Sequence, residues 1–214
     1  MREILDLTHT ISNDTPVYPG TEPLCLTVHN TIAKDGYQET MLHMNSHTGT
    51  HMDAPGHILE HAATLDKMDI SRFFGKALVV DCTGLKADEQ ITMKYIEPLR
   101  EAADKSEFLL FYTGWSRFWM QECYYASFPY CGEDVIRYCV ETGKRGVGID
   151  TPSIDPMGST DFPMHCIVFG AGLLVIENLA NLDRLLGKTF TFASLPLKYE
   201  NADGSPVRAV ALID

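Results

Sequence analysis

This chain has few basic residues. Lys and Arg number 17 against 29 Asp and Glu, a formal charge of −12. A surface of that sign repels a phosphate backbone, and no basic stripe interrupts it, so nucleic acid is disfavoured as a partner. Any apolar run of about 18 residues is also missing, which argues against a membrane span. The opening stretch MREILDLTHTISNDTP lacks the apolar centre and small-residue cleavage site of a secretory signal, so a cytoplasmic location is expected. The six cysteines form no C-x-x-C pair and no compact framework, so free thiols are expected, Cys166 beside His165 included. No repeat, low-complexity stretch or linker divides the 214 residues, and one domain spanning 1–214 is expected.

Histidine, by contrast, is concentrated. Five of the eight lie in HMNSHTGTHMDAPGHILEH, between His43 and His61. Within that run His47, His51, Asp53 and His57 alternate with Gly49, Pro55 and Gly56. Imidazoles and a carboxylate at such spacing suit a divalent ion, because each offers it a lone pair. A helix would put His47 and His51 on one face but swing Asp53 about 200° further round, and proline and glycine also oppose a helix. In an extended chain residues two apart share a face, so 47, 51 and 53 would project together, from an edge strand or extended loop. A polar loop whose histidines bond only to backbone is the plainer alternative.

Two further donors lie downstream. Glu177 ends the apolar run GLLVI, and a carboxylate at the end of a buried strand needs compensation, by a cation or by a salt bridge. His165 sits in DFPMHCIVF, after a proline-marked loop, where a core histidine is the alternative. In DTPSIDP, Asp150 and Asp155 could hold metal-binding histidines in place, or simply form a turn. Pattern predicts strands near 3–7, 24–31, 39–45, 77–82, 107–112, 146–149, 172–177, 188–194 and 207–213. It predicts helices over 92–103, interrupted near Pro98, over 133–142 and, shorter, over 178–186. The mixture points to α/β or α+β.

The segment HTGTHMDAPGH resembles the H-x-G-T-H-x-D-x-P-x-H signature of the cyclase-like metal-dependent hydrolases, a family that includes bacterial kynurenine formamidases (arylformamidases) and isatin hydrolases. The resemblance continues through GWSRFW at 114–119, GIDTPSIDP at 148–156, IENLANLD at 176–183 and PLKYENADGSPVRAVALI at 196–213. It implies an α/β fold of the swivelling β/β/α type, a mixed sheet with flanking helices, and a homo-oligomer, dimer or tetramer. It also implies two divalent ions, zinc first and manganese second. His47, His51 and Asp53 would bind one; Asp53 and Glu177 would bridge to the other, which His165 also binds. His57 would stand outside as general acid/base. Isatin hydrolases carry glutamine where this chain has Glu177 and hold one ion, so Glu177 favours two. Tyr18 stands where kynurenine formamidases have a tryptophan against the aromatic substrate, a departure that bears on specificity. A second aromatic group, from Trp115 to Tyr130, lines the cleft, packs in the core or forms an interface.

The expected activity is hydrolysis of a small amide, an aryl formamide such as N-formylkynurenine, by metal-activated hydroxide. Coordination lowers the pKa of water from about 15.7 towards 7. A histidine with an unperturbed pKa of about 6.5 suits protonation of the departing nitrogen. A mononuclear manganese hydrolase of the isatin type is the alternative among enzymes. A catalytically silent metal-binding scaffold is the alternative outside them, and it leaves His57 without a use.

Overall fold

The computed structural model describes residues 3–213. Twelve strands run in chain order: β1 Glu3–Asp6, β2 Cys25–Asn30, β3 Glu39–His43, β4 His51–Asp53, β5 Phe74–Asp81, β6 Gln90–Ile91, β7 Phe108–Tyr112, β8 Tyr130–Cys131, β9 Gly146–Ile149, β10 Leu174–Glu177, β11 Phe190–Pro196 and β12 Gly204–Ile213. The main sheet has the order β1-β12-β11-β5-β7-β9-β10-β4, and β4 pairs back onto β12. Seven strands therefore close into a mixed barrel, with β1 appended to the far end of β12. The β5-β7-β9-β10 pairings are parallel, whereas β4, β11 and β12 join antiparallel.

Side chains alternate across this wall with the period of two that a strand imposes. Val79, Phe108, Leu110, Leu174 and Ile176 fill the barrel interior with Met52, Phe192 and Ala209. Leu78, Val80, Leu109, Phe111, Val147 and Val175 point outward, under the helices. On β9 the inward positions are glycines because the space is taken: a Cβ at Gly148 would meet Leu110 at 2.6 Å and Leu179 at 2.8 Å.

Four α-helices are present among the described residues: α1 Ile32–Asp35, α2 Arg100–Lys105, α3 Glu133–Glu141 and α4 Pro163–Gly170. Helix α3 falls where Val135, Ile136 and Cys139 share a buried face, and Gly143 follows with φ +66°. Over 92–103 the chain makes 3-10 turns at Met93–Tyr95 and Glu97–Leu99 before α2 starts, so Pro98 delays the helix. The helix expected over 178–186 shrinks to a 3-10 turn at Leu182–Leu185, because Asn178 and Asn181 adopt left-handed backbone at φ +57°. Helix α4 has no counterpart in the pattern reading; Pro163 in its first turn, where a missing N–H does no harm, was its signal.

The expected strands are all present, with bounds moved by a few residues. The histidine segment departs from expectation in one respect: β4 is no edge. It pairs with β10 on one side and β12 on the other, and all three of its residues are buried. The two-stranded β2–β3 hairpin stands apart, leaving Val28, Ile32, Met41 and Leu42 exposed. Among the described residues no helix is long and apolar enough to cross a membrane.

Candidate metal centre

Strands β4 and β10 bring the first donors together. Their register sets Glu177 opposite His51 and Val175 opposite Asp53. Since Met52 and Ile176 turn into the barrel, His51, Asp53 and Glu177 emerge on the outer face, the alternation expected of an extended segment. His51 Nδ1–H donates to the Gly49 carbonyl at 2.9 Å, which turns Nε2 toward Asp53 Oδ1 at 3.3 Å and Glu177 Oε2 at 3.4 Å. Asn178 Nδ2 holds that carbonyl from the other side at 2.8 Å.

Helix α4 lays His165 over these groups. Asp155 accepts from the backbone N–H of Met164 at 2.9 Å and of His165 at 3.1 Å, two donors that a helix start leaves without partners. The same carboxylate takes His165 Nδ1–H at 2.6 Å, so Nε2 faces Glu177 Oε1 at 3.3 Å and Asp53 Oδ2 at 3.8 Å. Asp155 is thus an orienting partner of a candidate ligand. Asp150 is not: it accepts from Thr113 and Ser116.

His47 comes from a turn rather than from β4. Its Nδ1 lies 2.6 Å from Asp53 Oδ1 and its Nε2 3.0 Å from Asp203 Oδ2. Gly204, first residue of β12 and paired with Asp53, leaves room for the ring; a Cβ there would collide with it. His57, ending the 3-10 turn Pro55–His57, lies 3.9 Å from the His47 ring between centroids and 3.8 Å from Asp203. About a third of its side chain is exposed, whereas His51, Asp53, His165 and Glu177 are buried. Asp203 and Gly204 escaped the sequence reading as site residues; their signal was the Asp-Gly pair before a strand.

Burial opposes charge on every group here, and the partners override it. Burial pulls His47 and His51 down, but Asp53 raises them to about 9 and about 10, helped by Asp203 for His47 and Glu177 for His51. His165 is raised well above its usual value despite burial, through Asp155, Asp53 and Glu177. Burial pushes Asp53 and Glu177 up, yet the facing histidines hold both below the usual carboxylate range. His57 alone among these histidines is lowered, by burial first, with Asp53 opposing.

A divalent ion fits this donor set. Ligands bound at about 2.1 Å to a tetrahedral ion lie roughly 3.4 Å apart. The His51–Asp53, His51–Glu177 and His165–Glu177 separations of 3.3, 3.4 and 3.3 Å match that spacing and are long for charge-assisted hydrogen bonds. His47, His51 and Asp53 form one group with donor atoms within 4.8 Å; Asp53, His165 and Glu177 form a second; His47, His57 and Asp203 form a third.

The aromatic group divides. Trp115, Tyr124 and Phe128 are buried as a small core, and the Tyr124 hydroxyl donates to Asn178 Oδ1 at 2.7 Å. Tyr125 is raised by burial, then by the charge of Glu177 and by Tyr18, and its ring meets Tyr18 edge-on at 6.0 Å. Tyr18 is 40% exposed, and its ring contact is with Tyr125 rather than with the donors. A cleft of about 680 Å³, lined by Leu78, Leu99 and Phe190 among others, contains none of these donors.

The Cyclase family model matches residues 5–156. A kynurenine formamidase of Geobacillus thermodenitrificans is 31% identical over 214 residues, 98% of this chain and 97% of that protein. Isatin hydrolase A from Labrenzia aggregata, solved with benzyl benzoate, superposes with a TM-score of 0.89 at 26% identity, over 99% of this chain and 94% of that one. A structure described as a potential metal-dependent hydrolase with cyclase activity gives 0.82 at 30% identity, over 100% and 99%. The buried cluster of histidines and carboxylates thus sits in a chain that belongs to the cyclase family of metal-dependent hydrolases.

Proposed function

We propose that this hydrolase cleaves a small aryl formamide, N-formylkynurenine being the first candidate, with two divalent ions held by His47, His51, Asp53, His165 and Glu177. One observation carries the reading: Asp53 and Glu177 each turn one oxygen toward His51 and the other toward His165. Held between both sets of histidines, Asp53 and Glu177 would offset the repulsion between two dications. Zinc is the first choice of metal and manganese the second, since both accept imidazole and carboxylate. Bound there, the ions supply Lewis acidity and a water acidified towards neutrality.

The chain's own groups do the rest. Asp155 and the Gly49 carbonyl fix two rings with Nε2 inward. His57, at the open rim and lowered towards a neutral ring, is placed to carry a proton. As water adds to the formyl carbon and the C–N bond breaks, one proton from that water passes through His57 to the departing nitrogen. Formate and an arylamine result. Tyr18 and Tyr125 would form the aromatic wall.

The likeness to isatin hydrolase A supports a second reading, a one-metal manganese enzyme opening a cyclic amide, against which the charge of Glu177 speaks. Residues 1–214 act as one domain in this reading, since β4 and β12, far apart in sequence, close one barrel. The protein works in the cytoplasm, consistent with six free thiols. It works as a homo-oligomer, the exposed β2–β3 hairpin being covered by a second copy: isolated two-stranded hairpins are marginal in water. Hydrolysis of N-formylkynurenine and of isatin, with and without chelator, tests the function. Chelator-sensitive release of formate is expected; turnover of isatin alone would promote the second reading.

A further inference from the structure

We propose that Asp203 is the positioning residue of His57, holding its Nδ1–H so that Nε2 is the atom that exchanges a proton with the substrate; this rests on the proton-transfer reading of His57. The carboxylate is placed by the ladder that places Asp53. The Asp203 carbonyl accepts from the Ala54 N–H at 2.9 Å, and the next residue, Gly204, pairs with Asp53. Asp203 therefore cannot shift without moving the donor set.

Its two oxygens divide the work. The Tyr199 hydroxyl lies 3.0 Å from Oδ1 and 2.5 Å from the Gly204 carbonyl, and shares its one proton between them. Oδ2 accepts from Ser46 at 3.2 Å and from His47 Nε2 at 3.0 Å, and it lies 3.8 Å from His57 Nδ1. A carboxylate only accepts, so the His47 nitrogen at 3.0 Å is an N–H, and closing the 3.8 Å gap to His57 would select its Nδ1–H tautomer in the same way. His47 Nδ1 meets a second carboxylate, Asp53 Oδ1, at 2.6 Å, so with no ion bound both of its ring nitrogens carry protons. On His57 an Nδ1–H held by Asp203 would leave the Nε2 lone pair, on the other side of the ring, for the proton. The His57 ring lies over His47 with centroids 3.9 Å and planes 34° apart, so the two imidazoles face the same carboxylate oxygen. The arrangement resembles an acid, a histidine and a reacting atom in series, where the acid selects the tautomer and orientation of the ring and stabilises its charged form. A purely architectural Asp203 would need only Ser46 and Tyr199, and would have no reason to point an oxygen at two imidazoles.

The test uses Asp203→Asn, His57→Ala and the double variant, all metal-loaded. An amide oxygen still accepts from His47, so Asp203→Asn should retain the parent's metal content by elemental analysis and the parent's resistance to chelator. Its kcat on formanilide should fall about 10–100-fold, the range typical for loss of an orienting partner, with KM little changed. The loss should be smaller on 4-nitroformanilide, whose leaving group needs less protonation. In the His57→Ala background the same substitution should add less than about twofold, because residues acting as a unit are non-additive. Multiplying losses, or loss of metal from Asp203→Asn, would overturn the proposal. Tyr199→Phe, which removes the hydroxyl's contacts with Asp203 and with the Gly204 carbonyl, gives a milder second test: a few-fold fall in kcat that disappears in the His57→Ala background is expected, and persistence of that fall would count against Asp203 acting through His57. Full activity in His57→Ala by itself would remove the proton-transfer reading, an outcome separate from any result on Asp203.

Discussion

His51 and Glu177 face each other across the β4–β10 ladder, with Nε2 3.4 Å from Oε2. Hydrogen-bond registry alone delivers a ligand-type nitrogen and a ligand-type oxygen to one point, and both are buried. Such a pair has two ways to avoid uncompensated charge: a proton on the imidazole, or a cation between the groups.

The choice between proton and cation makes stability depend on pH. In chelator-treated protein His47 and His51, raised to about 9 and about 10, are protonated at neutrality. Their folded values exceed the unfolded value of about 6.5, so their contribution is complete below that pH and is lost as pH rises through 9 to 10. Asp53 and Glu177 have lowered values, so their contribution holds above the unfolded carboxylate range and is lost in acid. The melting temperature of chelated protein should fall between pH 8 and 10.5. Added zinc should flatten that limb, because the ion replaces the protons. An identical slope with and without zinc would mean that the ion does not occupy these groups.

Asp155 and Asp150 offer a matched contrast. Asp155→Ala frees the His165 ring and leaves two N–H groups at the start of α4 unpartnered. Metal affinity should drop about 10–100-fold by competition with a chelating dye. Asp150→Ala removes bonds to Thr113 and Ser116 only, so it should lower stability by about 1–3 kcal/mol without changing metal affinity. Equal effects on affinity would remove the distinction.

Gly204→Ala should act through His47. The added methyl group meets the ring while the β12–β4 pairing holds the backbone, so the ring must leave its place beside Asp53. Overpacking of this kind costs about 1–3 kcal/mol. Metal content should fall along with the melting temperature. Unchanged metal content would show that His47 can ligate from elsewhere, or not at all.

These contrasts also mark what the residue order disclosed. The run from His47 to His57 pointed to the candidate site because its donors are close in sequence and their chemistry shows in composition. Closure of the barrel did not show, since β4 is three residues long and pairs with Gly204–Pro206 about 150 residues away. Asp203 stayed hidden for the same reason: an Asp-Gly pair reads as a turn until that pairing places it beside His47. His165 was visible as a donor, but its helix was not, because α4 is short and apolar all round. Asp150 and Asp155 looked alike in DTPSIDP, and only the position of α4 separates them.

Tyr18 carries the prediction on specificity. Tyr18→Ala should raise KM for an aryl formamide roughly 2- to 12-fold, the equivalent of one aromatic contact worth about 0.5–1.5 kcal/mol. Tyr18→Trp should improve N-formylkynurenine turnover. Unchanged kinetics in both would place Tyr18 outside the pocket, as a neighbour of Tyr125 alone among the aromatic rings described.

Metal content tests the central claim most directly. Active protein, loaded and desalted, should carry close to two divalent ions per chain by elemental analysis. His57→Ala should keep that number while losing most of its kcat, and His51→Ala should lose metal. A reproducible value of one in fully active protein would contradict the two-metal account, as would loss of metal from His57→Ala as readily as from His51→Ala.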